Sequence, residues 1–275
     1  MTTICDLDAL HYKNNSTTQS SRAYHLLKDI QISPEASILD IGCGHGYIIG
    51  ELSKIVPYGR AVGIDPSFNM ISLAVEMFPN SKFSNLEFHQ LKAEEMKFDA
   101  ESFDLILCTN AFMWIRDPRK VLRLISKFLK PNGRFILLSY LKETPYVQLF
   151  EDVLEKNFPE LKSISAVNTM LSINQHSEIL NKNNMELDVF KIEDVVFKYE
   201  NELDLKNYIL GWLSCYVPFD SDQQEVFLSK LIEESKKFRK EQCSSIIEIP
   251  HKSISIIASK RKYKSKPKKI EKSGI

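Results

Sequence analysis

The feature that most constrains the fold is a glycine-rich segment, Asp40 to Gly46 (DIGCGHG), placed between a strand pattern and a helix pattern. The preceding SILDI is an apolar run of strand length, and the following YIIGELSKIV has apolar residues at helical spacing. Glycines at such a junction allow a sharp turn and let a ligand approach the main chain closely. A dinucleotide fingerprint would need glycine at position 47, where Tyr47 stands, so a nicotinamide-binding loop is disfavoured.

The glycine-rich segment belongs to a regular alternation of buried strands and helices. Further strands are predicted at AVGID, NLEFHQL, FDLILCT and RFILLSY. Helices are predicted at SFNMISLAVEMF, with Ser67 as the N-cap, and at DPRKVLRLISKFL, which begins with Asp117 and Pro118. This alternation is typical of βαβ units with right-handed crossovers. Residues 37–140 therefore predict an α/β fold with a doubly wound, mostly parallel sheet.

The pattern changes after Tyr140. Helices are predicted at residues 146–157, HSEILNKN, LDLKNYILGWLSC and SDQQEVFLSKLIEESKKF, and strands at MELDVFKIEDVVFKY and KSISIIAS. These helices are too many for the sheet alone, so we expect a seven-stranded sheet with an antiparallel last strand and a helical cap. The expected units are N-terminal cap helices (1–36), a ligand-binding core (37–140), a helical substrate cap with the last strands (141–259) and a basic disordered tail (260–275).

Composition narrows the class of protein. The 275 residues are 43% hydrophobic and 26% charged, which is typical of a globular chain. The first residues lack the basic and apolar regions of a signal peptide, and no apolar run reaches the roughly 18 residues of a membrane span. The cysteines show no metal-ligand spacing, so we expect free thiols, no metal site and a cytoplasmic location. They are Cys5, Cys43, Cys108, Cys215 and Cys243.

Charge is distributed unevenly along the chain. The segment from Lys260 to the end holds eight Lys or Arg and one Glu, a net +7, which leaves −7 on the preceding residues. A basic tail can bind nucleic acid or an anionic membrane. A solvated, disordered end is the preferred interpretation, so nucleic acid is not an expected partner.

An acidic residue, Asp65, ends the second predicted strand, where its carboxylate can accept hydrogen bonds from both hydroxyls of a ribose. Together with the order strand–loop–helix–strand, four segments resemble motifs of the class I S-adenosylmethionine-dependent methyltransferases. They are ILDIGCGHG, GIDPS, FDLILCTNAFMWIRDP and LKPNGRFIL. The resemblance implies a Rossmann-like methyltransferase fold and S-adenosylmethionine as the cofactor.

The resemblance also implies roles for individual residues. Gly42 and Gly44 would pack against the cofactor, Asp40 would help to hold its amino-acid end, Asp65 would bind the ribose and Met70 would lie near the adenine. The full implied cofactor-binding set is Asp40, Gly42, Cys43, Gly44, His45, Asp65, Pro66, Met70, Ala93, Glu94 and Asn110.

One position departs from the family pattern. The loop after the third strand often reads Asp-Ala-Glu in the family, and the aspartate binds the adenine amino group. Here the loop reads Lys92-Ala93-Glu94. Ala93 still offers its backbone N–H, but the ammonium of Lys92 has no acceptor for an amine. Either Glu94 replaces that contact or the contact is absent.

The residues after the fourth strand bear on the methyl acceptor. Amino-nitrogen methylases of nucleic acids carry Asn/Asp-Pro-Pro-aromatic there, whereas this chain has Thr109-Asn110-Ala111-Phe112 without either proline. Cytosine-C5 enzymes need a cysteine next to proline, and none of the cysteines has that context. Methylation of nucleic-acid bases is therefore disfavoured.

A tryptophan, Trp114, follows the fourth strand, and its indole N–H suits a carboxylate or carbonyl oxygen. With His11, Tyr12 and Gln19 near the start of the chain, it resembles the small-molecule carboxyl methyltransferases of the juvenile hormone acid and trans-aconitate type. In the former, the glutamine and tryptophan that match Gln19 and Trp114 hold the substrate carboxylate. Malonyl-carrier-protein methyltransferases share much of this pattern. The resemblance implies a small-molecule acceptor positioned by Gln19, Trp114, Tyr12 and His11.

The histidines provide no clear acid–base pair. His11 and His45 lie near the expected site, whereas the others are scattered: His25, His89, His176 and His251. A general base would matter only for a hydroxyl or amine acceptor, because a carboxylate is already ionised at pH 7. We therefore expect methylation of the carboxyl oxygen of a small, partly apolar molecule. The alternatives are a carrier-protein-linked acid, a hydroxyl or amine acceptor, and a non-catalytic cofactor-binding module; the oligomeric state is left open.

Overall fold

The described part of the chain is built around a seven-stranded sheet. The computed structural model describes residue 27, residues 30–239 and residues 244–261. The strands are β1 (Ser37–Ile41), β2 (Arg60–Asp65), β3 (Leu86–Gln90), β4 (Phe103–Thr109), β5 (Leu129–Tyr140), β6 (Met185–Tyr199) and β7 (Ile247–Lys260). Their order is β3-β2-β1-β4-β5-β7-β6, parallel from β3 to β5 and antiparallel at β7. The predicted doubly wound, mostly parallel sheet is confirmed.

Helices connect and cover the strands. They are α1 (Tyr47–Ile55), α2 (Phe68–Met77), α3 (Pro118–Phe128), α4 (Pro145–Asn157), α5 (Ile173–Lys182), α6 (Glu202–Leu210), α7 (Leu213–Tyr216) and α8 (Ser221–Ser235). The predicted starts of two of them are confirmed: Ser67 accepts a hydrogen bond from Met70 N (3.3 Å), and Asp117 accepts one from Lys120 N (2.8 Å).

Neighbouring residues on β1 point to opposite faces of the sheet, as a strand requires. Leu39 packs in the core that includes Ile125 of α3 and Ile179 of α5. Ile38 packs in the other core, which includes Ile49 of α1. Both faces of the parallel sheet are thus covered by helices, which explains why its strands are nearly continuous apolar runs.

A third core lies at the end of the sheet formed by β6 and β7. It is strongly aromatic and contains Phe150 of α4, Phe227 of α8 and Trp212, together with Phe197 from β6. This core holds the late helices against the sheet, where the sequence predicts a helical cap. The limits at residues 36, 140 and 259 stay predictions.

Several element boundaries differ from the prediction, and two of these differences concern β5 and the helix before Trp212. The strand predicted from Arg134 begins at Leu129. Leu129 pairs with Phe103 of β4, and the register then shifts so that Arg134 pairs with Leu105. The single helix predicted at LDLKNYILGWLSC is broken between α6 and α7, where Trp212 has the non-helical angles φ −143° and ψ 0°. Trp212 is buried in the aromatic core, so packing of its ring overrides the local helical pattern.

The cysteines that the structure describes differ in their bonding. Cys43 and Cys108 are free and buried, whereas Cys215 is disulfide-bonded, so the expectation of free thiols is wrong at that position. His11, Tyr12 and Gln19 lie outside the described residues. Among the described helices, none has the length and apolar character needed to cross a bilayer.

The last strand extends further than predicted. Lys260, which the sequence places in the basic tail, is the final residue of β7 and only 6% exposed. Its ammonium donates to Leu129 O (2.8 Å) and to the Glu101 carboxylate (3.1 Å). The next residue, Arg261, donates its backbone N–H to Asn184 O (3.1 Å). A deletion that removes only the tail should therefore begin after Arg261.

Replacing Lys260 by alanine is expected to lower the free energy of unfolding by about 1–3 kcal/mol, because a buried carbonyl loses its charged donor. Lys252→Ala is the matched control on the same strand, because Lys252 is 40% exposed and pairs with an Asp194 side chain that is 80% exposed. That change should cost less than about 1 kcal/mol. Urea unfolding of both variants measures the difference, and equal losses would contradict the assignment.

Candidate active site

The glycine-rich segment forms a tight loop at the carboxyl end of β1. Gly42, Gly44 and Gly46 have φ of 72°, 55° and 78°, a left-handed conformation that side chains with a Cβ rarely adopt. The backbone N–H groups of Gly42 and Cys43 donate to Ile64 O at 2.8 and 3.0 Å, which ties the loop to β2. The predicted need for glycine is therefore explained by backbone conformation at these positions.

Asp65 connects this loop to the start of α2. Its Oδ2 accepts a hydrogen bond from Gly44 N (3.0 Å), and its Oδ1 accepts one from Ser67 N (2.9 Å). Burial raises the pKa of Asp65 from 3.8 to about 6, and these two backbone hydrogen bonds act in the opposite direction. Each oxygen retains a lone pair that a ligand hydroxyl could use.

Asp40 is the most deeply buried carboxylate of the loop, at 1% exposure. Within the described residues, its Oδ1 atom has no hydrogen-bond partner. Burial, and to a smaller degree the charge of Asp65, raises the pKa of Asp40 from 3.8 to about 7. Burial also raises the pKa of the neighbouring Cys43 thiol, which stays neutral. This environment disfavours the negative charge of Asp40 unless a cation approaches it.

A cavity at the carboxyl ends of the strands, the glycine-loop cavity, has about 1320 Å³ of empty volume, including space open to solvent. It lies where ligands bind in open α/β sheets. Five of the predicted cofactor-binding residues line it: Gly42, Asp65, Pro66, Ala93 and Glu94. The structure therefore brings together residues that are more than 20 positions apart in the sequence.

The other predicted cofactor-binding residues do not line the glycine-loop cavity. Met70 is buried, and its sulfur lies 3.9 Å from the position that a Cβ on Gly44 would take. The assignment of Met70 to the adenine stays a prediction, as do those of Asp40, Cys43, Gly44 and His45. Asn110 lines a second, neighbouring cavity instead.

Glu94 has a structural contact that the sequence did not reveal. Its Oε1 accepts hydrogen bonds from the backbone N–H groups of Arg116 (2.9 Å) and Asp117 (3.2 Å), just before α3. Lys92 lines the same cavity. One carboxylate oxygen of Glu94 is therefore already bound to the main chain. The contact of Glu94 with adenine stays a prediction.

Several cavity residues were missed by sequence reasoning. They come from the segment before α3 and from α7: Ile115, Arg116, Asp117, Ser214 and Cys215. The helix-start pattern at Asp117 indicated a boundary but gave no sign of a ligand. The residues of α7 carried no signal, because their position depends on the break at Trp212.

The second cavity, the aromatic cavity, has about 650 Å³ of empty volume, including space open to solvent. Trp114 lines both cavities and packs against Trp212, with ring centroids 5.5 Å apart. The described residues that line the aromatic cavity include no Asp, Glu, Lys or Arg. They are Asn110, Met113, Trp114, Tyr140, Thr144, Tyr146, Val147, Phe150, Val167, Met170, Tyr208, Trp212, Tyr216 and His251.

Asn110 stands at the end of β4 with φ of 55°, a strained conformation for a residue other than glycine. Its backbone N–H donates to Leu138 O (2.7 Å), which fixes the turn. Such strain is often found where a side chain must be aimed at a ligand. Asn110 lines the aromatic cavity together with Trp114, and Trp114 also lines the glycine-loop cavity.

His251 was among the scattered histidines in the sequence, but the structure places it in the wall of the aromatic cavity. Its ring lies between those of Tyr146 (centroids 4.2 Å apart) and Phe197 (4.1 Å). Its Nδ1 is 3.0 Å from Ile249 O, which favours the tautomer that donates from Nδ1. No local pattern distinguished this position, because a strand residue meets α4 only through the tertiary fold.

Comparison with known proteins matches this chain to methyltransferases. A family model described as a methyltransferase domain matches residues 32–187. Putative methyltransferase 235L of Invertebrate iridescent virus 6 is 23% identical over 240 residues, covering 86% of this chain and 88% of that protein. A malonyl-[acyl-carrier protein] O-methyltransferase of Bacillus cereus is 29% identical over 140 residues, about half of each chain. The crystal structure of YcgJ from Bacillus subtilis superposes with a TM-score of 0.63 at 22% identity, covering 87% of this chain and 99% of YcgJ.

Proposed function

Because this chain belongs to the family of methyltransferase domains and is an S-adenosylmethionine-dependent methyltransferase, we propose that it methylates a carboxyl oxygen of a small, partly apolar molecule. The acceptor would occupy the aromatic cavity and the cofactor the glycine-loop cavity. Trp114, which lines both, would stand beside the reacting atoms.

The residues of the glycine-loop cavity fit the cofactor. The left-handed glycines leave room for close approach to the main chain, and the lone pairs of Asp65 suit ribose hydroxyls. Asp40 does not line the cavity, but it lies in the same loop, is buried with an unpartnered oxygen among the described residues, and suits the positive charge of the amino-acid end. When bound, S-adenosylmethionine supplies an electrophilic methyl group on a sulfonium.

The observation that carries the proposal is the composition of the aromatic cavity. Its described lining holds no Asp, Glu, Lys or Arg, and His251 is the one histidine in it. A carboxylate nucleophile is ionised at pH 7 and needs no base. Aromatic walls exclude water and hold the acceptor's body, and attack in line with the transferred methyl group then depends on positioning.

Two side chains in the cavity wall carry N–H donors that would orient the carboxylate. The amide of Asn110 and the indole N–H of Trp114 are donors whose charge does not change with pH. The pairing of Trp114 with Gln19, and the contributions of His11 and Tyr12, remain proposals because those three residues lie outside the described part of the chain.

Replacing Trp114 by phenylalanine keeps an aromatic ring and removes the N–H. We expect kcat/KM for a carboxylic acid to fall about five- to thirtyfold, because a hydrogen bond to a charged oxygen is lost. The affinity for S-adenosylhomocysteine should stay within about twofold, as measured by calorimetry. A parallel loss of cofactor affinity would instead assign Trp114 to cofactor binding.

A second candidate is a hydroxyl or amine acceptor with His251 as the general base, supported by the buried position of His251 in the cavity wall. A third is a carrier-protein-linked acid, supported by the similarity to the B. cereus enzyme, of which this chain spans about half.

Turnover against a panel of free acids, carrier-linked acids, alcohols and amines separates these candidates. For a carboxylate, His251→Gln should leave the pH profile of kcat unchanged; for a hydroxyl or amine it should remove the acidic limb. Cofactor binding without turnover on any acceptor would favour a non-catalytic module.

A further inference from the structure

Two tyrosine hydroxyls are buried without a hydrogen-bond partner among the described residues, those of Tyr146 and Tyr199. The two side chains are equally buried, at 7% exposure. A buried hydroxyl without a partner is costly, and such groups are few in native structures. The two differ in one respect: Tyr146 lines the aromatic cavity, whereas Tyr199 does not.

The ring of Tyr146 is held firmly in place. Tyr146 lies in the first turn of α4, which is capped by Thr144 through a hydrogen bond from Val147 N (3.2 Å). The ring packs against Phe150 (centroids 4.8 Å apart) and stacks on His251 (4.2 Å). Its hydroxyl therefore cannot reach solvent by rotation without breaking these contacts.

The surroundings of this hydroxyl are neutral. Burial, together with the nearby hydroxyls of Tyr199, Tyr208, Tyr216 and Tyr140, keeps the pKa of Tyr146 well above its usual value, so the group remains a hydrogen-bond donor. No Lys or Arg among the described residues lines the cavity to stabilise an anion at this point. A neutral oxygen is the partner that this environment favours.

The hydroxyl of Tyr216, in the same cavity wall, already has a partner. It donates to Glu151 Oε1, which also accepts a hydrogen bond from Ser165 Oγ (2.9 Å). The Glu151 carboxylate is thereby held by the protein itself. Tyr146 lines the same cavity, but its hydroxyl has no hydrogen-bond partner among the described residues.

We propose that the Tyr146 hydroxyl is a specificity contact, which donates a hydrogen bond to a neutral oxygen on the apolar body of the acceptor. The substrate class is then a flat aromatic or unsaturated acid that carries a second oxygen function, such as a ketone, an ether or an alcohol, away from the methylated group. The stacked rings of the cavity bind the flat body, and Tyr146 selects the oxygen. This inference rests on the proposed function for the identity of the reacting group.

The test compares Tyr146→Phe with Tyr199→Phe, because each variant deletes one buried, unpartnered hydroxyl. The probes are 2-acetylnaphthalene and 2-isopropenylnaphthalene, which differ by a carbonyl oxygen in place of a methylene group. Their affinities are measured by calorimetry with S-adenosylhomocysteine present. In Tyr146→Phe the ketone should bind roughly tenfold more weakly, while the hydrocarbon binds as in the wild type. Tyr199→Phe should change neither affinity, and neither variant should have a lower melting temperature.

The proposal is overturned by any of three results. These are unchanged ketone affinity in Tyr146→Phe, an equal loss in Tyr199→Phe, and the absence of binding of both probes to the wild-type protein. Failure of the proposed function has a different signature, since a panel of carboxylic acids would then show no methyl transfer while the difference between the two probes persists.

Discussion

Replacing Gly42 by alanine is expected to lower the free energy of unfolding by about 2–4 kcal/mol and to weaken cofactor binding more than tenfold. Gly42 has φ of 72°, a conformation that costs alanine about 1–2 kcal/mol. A Cβ at this position would also stand 2.2 Å from the Cβ of Ala111, so the loop or the segment after β4 must move. Both segments line the glycine-loop cavity, and their displacement would change the ligand's position. Urea unfolding and calorimetry with S-adenosylhomocysteine measure the two effects.

Two controls separate the clash from the backbone strain. Gly44 has φ of 55°, but a Cβ there would meet only the Met70 sulfur at 3.9 Å, so Gly44→Ala should cost only about 1–2 kcal/mol of stability. Adding Ala111→Gly to Gly42→Ala removes the clashing methyl group and should restore part of the lost stability, a coupling of at least 1 kcal/mol. Additive effects of the two changes would show that the clash is relieved elsewhere.

The sequence predicted those parts of the fold that depend on neighbouring residues. The strand β1, the glycine loop and the caps at Ser67 and Asp117 all follow from local patterns and are present in the structure. The parallel order of β1 to β5 follows from right-handed crossovers, which leave few topologies open. Local hydrogen bonds and apolar periodicity carry enough information for these elements.

The parts that were missed depend on long-range packing. Trp212 interrupts a good helical pattern because its ring is buried among aromatic residues from α4 and the segment after β4. His251 and Tyr146, on β7 and α4, form part of the cavity wall only because the late helices fold back onto the sheet. Lys260 looked like a residue of a basic tail, and its burial follows from the pairing of β7 with β5 and β6.

The candidate site likewise contains residues that local motifs predict and residues that only the tertiary fold brings together. Gly42, Asp65 and Glu94 were identified from motifs and line one cavity. The motif could not show that Glu94 binds the main chain before α3, because that contact joins segments brought together by the sheet. In the aromatic cavity the sequence singled out Asn110 and Trp114 as site residues. The other aromatic residues lie on separate elements, and their sequence pattern is the same as that of any apolar core.

Asp40 is expected to make cofactor binding depend steeply on pH. Its pKa in the free protein is about 7, and a ligand with a cationic amino group binds better to the ionised form. Below pH 7 a proton must be released on binding, so the affinity for S-adenosylhomocysteine should rise about a hundredfold between pH 5 and pH 8 from Asp40 alone.

The contribution of Asp40 to the stability of the free protein should change in the opposite direction, falling as the pH rises. Because the folded pKa of Asp40 lies above the ordinary 3.8, ionisation between pH 4 and pH 7 costs folding free energy.

The isosteric change Asp40→Asn tests this assignment, because it removes the titrating group and keeps the shape. Asp65, whose pKa is about 6, remains and contributes most of its pH dependence below about pH 6.5. The thiols of Cys43 and Cys108 stay neutral throughout, because burial raises the pKa of each. The variant should therefore bind S-adenosylhomocysteine with nearly constant affinity from pH 6.5 to pH 8, and more weakly than the wild type at pH 8. If its affinity instead follows the wild-type pH profile, a group other than Asp40 exchanges the proton, and the cationic end of the cofactor is not held by this carboxylate.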